Sequence, residues 1–149
     1  MENEILTTNE SPNTTGRFNE TPYLISKLKV IDETTEKFYW EKLKNEILLK
    51  DYSLNADKFE VFEIFDFEND YEIVRDKLAK FLKEPEQIII SWFTNEKSLL
   101  IDSPTFIEYW EEFFSSSADD LVIFSKNFNW VIYIAHYECL QLGYGMKNS

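Results

Sequence analysis

Between Thr34 and Lys50 the chain reads TTEKFYWEKLKNEILLK, with Tyr39, Leu43 and Ile47 recurring at every fourth position and Trp40 beside them. Apolar positions spaced in this way share one side of an α-helix, so a helix is expected here. The period changes in KFEVFEIFDF, residues 58–67. Phe59, Val61, Glu63, Phe65 and Phe67 alternate onto one face, and Phe62 and Ile64 onto the other. Apolar residues on both faces are the pattern of a strand covered on each side. Helical spacing returns over residues 69–83 through Tyr71, Val74, Leu78 and Phe81, and Lys83 and Pro85 close it.

Gln87–Phe93, built around Ile88-Ile89-Ile90, reads as a strand, and Asn95 and Glu96 turn the chain into a short strand at Leu99–Ile101. Asp102-Ser103-Pro104 opens a helix, with Ser103 as the cap and Pro104 at its first position. Phe106, Trp110, Phe113 and Phe114 form its apolar stripe, and Ser115-Ser116-Ser117 ends it. Leu121–Phe124, Trp130–Tyr137 and Cys139–Leu142 then read as three successive strands, the last turn centred on Tyr137-Glu138. Tyr23–Val30 fits a helical turn or an edge strand. The expected class is α+β: a mostly antiparallel sheet of about five or six strands packed with about three helices, ending in a β-meander, with α/β as the fallback. Residues 1 to about 20 are polar and lack apolar periodicity, which describes a flexible N-terminal tail ahead of a single domain at 21–149.

Composition adds two constraints. The chain holds 13 Phe, 8 Tyr and 4 Trp, more rings than a chain can leave in water, and some are available as interface anchors. Its 28 acids against 15 bases give a net charge of −13. That field repels phosphate and anionic lipid, which disfavours nucleic-acid and membrane partners, and it steers a basic protein partner into contact. The one cysteine, Cys139, permits no internal disulfide and no multi-cysteine zinc site. The N-terminus has no basic start or apolar run, so a cytoplasmic location is expected.

Catalytic patterns are sparse. His136 and Cys139 are three residues apart, a spacing that within one strand points them to opposite faces and that a turn between them would change. The acidic run Asp66–Asp70 lacks the glycine and distal glutamate of a calcium loop, and the three glycines form no phosphate-cradling loop or nucleophile elbow. The expectation is a binding protein with no metal, no cofactor and no enzymatic activity. The alternatives are a small enzyme using carboxylates with His136, and an adaptor that self-associates through exposed aromatics. Charge distribution places the candidate site. Glu60–Glu72 and Asp102–Asp120 each carry six acids and no base. The expected partner surface is Glu108, Glu111, Glu112, Asp119 and Asp120, with Trp110 or Trp130 as its anchor.

Two stretches in the last third, WEEFFSSSADDLVIF from Trp110 to Phe124 and NWVIYIAHYE from Asn129 to Glu138, carry a resemblance. They resemble small bacterial immunity-like proteins of polymorphic toxin systems. The resemblance implies a cytoplasmic inhibitor that shields its host from a toxin, often a basic nuclease. It implies no active-site residues.

Overall fold

A computed structural model describes residues 5–94, 96–116 and 118–147. In chain order the elements are β1 (Thr7–Thr8), α1 (Pro22–Lys27), β2 (Lys29–Ile31), α2 (Glu33–Lys42), β3 (Phe59–Asp66), α3 (Tyr71–Phe81), β4 (Gln87–Trp92), β5 (Leu99–Asp102), α4 (Ser103–Tyr109), β6 (Leu121–Phe124), β7 (Trp130–Ala135) and β8 (Cys139–Met146). The fold is α+β, with one antiparallel sheet in the order β1-β2-β5-β4-β6-β7-β8-β3. The sheet has eight strands where five or six were expected. The two extra are β1 and β2, two and three residues long, too short to show a period. The C-terminal meander β6-β7-β8 is present, with β7 ending two residues earlier than read and β8 running four residues further.

Alternation along the central strands divides two cores. Ile88, Ile90, Trp92, Leu121, Ile123, Ile132 and Ile134 face α1, α3 and α4, while Ile89, Val122, Phe124, Val131 and Tyr133 face α2. Burying each such side chain contributes roughly 1.5–3 kcal/mol. A π-helical turn, Leu43–Ile47, extends α2 and keeps both Leu43 and Ile47 buried. The α4 start shifts by one residue from expectation. The Asp102 carboxylate, not Ser103, accepts the Thr105 N–H at 2.8 Å, because the buried Ser103 hydroxyl is used by the Glu86 N–H. The helix ends earlier too, passing into a 3₁₀ turn at Trp110–Phe113. Of the expected turn and stop, Asn95 and Ser117 lie outside the described residues.

Two further expectations are corrected. The stretch read as a tail lies on the domain over residues 5–20: Thr7 and Thr8 pair with Ile31 and Val30, and Phe18 is 1% exposed against Phe113. Phe18, Arg17, Ile5 and the β1 pairing hold it there, which composition averages conceal. β3 is not covered on both sides. It is the outermost strand, paired only with β8, and Val61 and Ile64 are 53% and 57% exposed. Its one fully buried residue is Phe59, whose ring lies over Gly143, where a Cβ would sit 2.7 Å from it; Phe62 and Phe65 are partly buried.

Candidate partner-binding surface

Seven residues were expected to form the partner surface, and the structure divides them by burial. Trp110 is 0% exposed, its ring 5.2 Å from Tyr71 and 5.8 Å from Phe114 by centroid. Trp130 is 5% exposed and meets Phe81 edge-on at 5.7 Å. Both indoles are core, so neither is available as an anchor. Trp110 is turned inward by the 3₁₀ turn that follows α4 and Trp130 by the alternation of β7, and the acids between them mislead.

Asp119 is buried as well. Its carboxylate accepts from Arg17 at 2.8 and 3.1 Å and from the Ser115 N–H at 2.6 Å. Arg17 also binds Glu96, donates to the Phe113 carbonyl at 3.3 Å, and lies 4.8 Å from the Trp92 ring. Although burial works to lower the Arg17 guanidinium, Glu96 and Asp119 outweigh it and hold its pKa well above the ordinary value. This cluster fastens the N-terminal segment to the 3₁₀ turn after α4.

Asp120 serves a third purpose. It accepts from the Tyr133 hydroxyl at 2.8 Å and the His136 N–H at 3.0 Å, and its carboxylate lies 2.9 Å from His136 Nδ1. Burial works to raise this carboxyl, but the His136 N–H, the imidazole and the Tyr133 hydroxyl outweigh it and hold it below the usual range. The arrangement orients a half-exposed imidazole as a carboxylate orients a general base. Tyr137 also meets that ring, edge-on at 5.2 Å. Cys139 is buried in the α2-side core, where desolvation pushes its thiol up.

Glu108, Glu111 and Glu112 remain. Glu108 and Glu111 are exposed and Glu112 is partly so. Arg75 on α3 reaches Glu111 at 2.9 Å, binds Glu72, and donates to the Ile107 carbonyl at 3.3 Å. Phe67 and Tyr71, at the start of α3, pack their rings on Trp110 and Phe114. These contacts bring the base-free stretches together at one point, where Arg75 joins Glu72 of the first to Glu111 of the second. Asp70 also caps α3, accepting from the Ile73 N–H at 3.2 Å.

An open cleft of about 380 Å³ on the α2 side is lined by Trp40, Tyr52, Phe93, Glu36, Glu96 and Lys44. Phe93 contacts Trp40, Tyr52 and Tyr133 at 5.1, 4.7 and 5.8 Å. Tyr52 takes φ 70°, an uncommon region for a side chain of its size. Sequence reading missed these rings. Trp40, one position off the buried stripe of α2, was the available signal.

Among the described residues, no three His, Cys, Asp or Glu side chains gather as a metal ion would require, and no helix is long and apolar enough to cross a membrane. No protein-family model matches the chain, and no curated protein or solved structure matches it significantly.

Proposed function

We propose that the protein is an acidic cytoplasmic binding protein, an immunity-type inhibitor that neutralises a basic toxin or enzyme by occluding it. The observation that carries this reading is the meeting of two base-free acidic stretches at Arg75, which binds Glu72 of one and Glu111 of the other. A face of one sign accelerates encounter with a partner of the other and loses that advantage in salt. The contacting carboxylates are Glu108, Glu111 and Glu112 with Glu68, Asp70 and Glu72, and the two tryptophans drop out. The test is capture on immobilised protein. Wild type and an E33K/E41K control on α2 should retain a basic protein that E108K/E111K/E112K releases. Equal retention by all three would remove this face from consideration.

The Asp120–His136 pair favours a second reading, a small enzyme with His136 as general base. Loss of a measured activity in His136→Ala, with retention of partner capture, would support it.

A further inference from the structure

Sheet edges expose unpaired backbone groups, and proteins blunt them with short strands, charged side chains (lysine above all), proline or bulges. β1, at one end of this sheet, is blunted by its length of two residues. β3, at the other end, is eight residues long and contains no Lys, Pro or Gly. It pairs with β8 from Phe59 opposite Met146 to Asp66 opposite Cys139. Among the described residues no strand lies on its outer side.

The side chains of this edge are sorted by face. Val61 and Glu63 stand opposite Tyr144 and Leu142, and Ile64 and Asp66 stand opposite Gln141 and Cys139 on the other face. Each face therefore offers one exposed aliphatic side chain and one exposed carboxylate, two residues apart. Bases near the strand sit at its start or over its ring: Lys58 precedes it, Lys147 donates its N–H to the Lys58 carbonyl, and Lys77 lies 3.4 Å from the Phe65 centroid. Along the chain past Asp66 the charged residues are carboxylates, Glu68 and Asp70, with Lys77 of α3 standing over Phe65.

We infer that β3 is the strand a basic partner extends, through an extended segment that alternates aliphatic and Lys or Arg side chains on each face. This rests on the acidic-inhibitor reading and names how the partner docks. Main-chain hydrogen bonds along the open edge supply affinity, and the side chains beside them supply selectivity. A second copy of this chain suits the edge poorly. Each copy carries −13, and antiparallel self-pairing centred on Glu63 sets Glu60 against Asp66.

The probe is a Val-Val-Lys-Lys repeat peptide of about ten residues, which places both residue types on each face of a strand. Its control is the same peptide methylated at every backbone nitrogen, with equal charge and no donors for a ladder. Amide hydrogen exchange is followed in the full chain. With the plain peptide, the outward amides between Glu60 and Asp66 should slow about tenfold, and with the control they should not. Glu63→Lys should weaken the plain peptide about tenfold and Glu33→Lys should leave it unchanged. Equal slowing by both peptides, or slowing confined to α4, overturns the edge proposal. If that binding still weakens with salt and in E108K/E111K/E112K, the acidic-face reading survives. Failure of both peptides to bind at low salt removes both. Concentration-dependent dimers that Glu63→Lys abolishes would assign the edge to a second copy and also overturn the proposal.

Discussion

Asp119 is buried and Asp120 partly so, satisfied by Arg17 in one case and by Tyr133 and His136 in the other, while on the preceding turns Glu108 and Glu111 are exposed, Glu111 meeting Arg75, and Glu112 is partly exposed. The two groups are the same chemistry within one stretch of chain. Burial separates them: a desolvated carboxylate needs partners, and those partners make it architectural. An exposed one costs the fold little and stays available. The inward pair therefore holds the site's shape and the outward three give it its field.

The largest effect should come from the residue beneath both groups. Trp110→Ala empties the space between Tyr71, Phe67 and Phe114 and should cost about 3–5 kcal/mol in denaturant unfolding. A loss under about 1 kcal/mol would mean that the acids rest on something else.

Arg17→Ala comes next. It strands Asp119 and Glu96, each with little exposure, and should cost about 3 kcal/mol. The same variant should raise hydrogen exchange at Phe18 and its neighbours, since Arg17 fastens that segment.

Asp120 gives a smaller, pH-dependent difference. Its folded pKa is depressed below 3.8, so its contribution is present above that value and is lost as pH falls through the lower, folded value. Asp120→Asn should therefore be less stable at neutral pH and should flatten the acid end of the stability profile. An unchanged acid limb would contradict the assigned hydrogen bonds.

The smallest effect on folding belongs to the outward acids. Glu108, Glu111 and Glu112 replaced together by Gln should shift the thermal midpoint by no more than about 2 °C. The same variant should weaken partner binding more than any of the preceding ones. A large loss of stability would place these residues with the inward pair.

Much of the fold was legible because the central strands and α3 repeat their apolar residues with clean periods, as in Ile88-Ile89-Ile90 and Tyr71-Val74-Leu78. β1 and β2 were not legible, since their strand character comes from pairing with the rest of the sheet. The edge position of β3 was hidden for a related reason: apolar residues on both faces describe a covered strand and an uncovered one alike. In the candidate site, the location of the acids could be read from the missing bases. Their direction could not. Asp119 and Asp120 look identical to Glu111 and Glu112 until Arg17, about a hundred residues away in sequence, is folded against Asp119. The tryptophans were misassigned because a Trp beside acids in sequence suggests an anchored interface, whereas here a 3₁₀ turn buries Trp110 and strand β7 buries Trp130.

An occluding acidic face is tested most directly by the association rate of a captured basic partner, measured by stopped flow across ionic strength. Wild type should associate quickly at low salt and slow steeply as salt rises, and E108K/E111K/E112K should be at least about tenfold slower at low salt with a flat salt dependence. Equal rates for the two proteins, with the same response to salt, would contradict it.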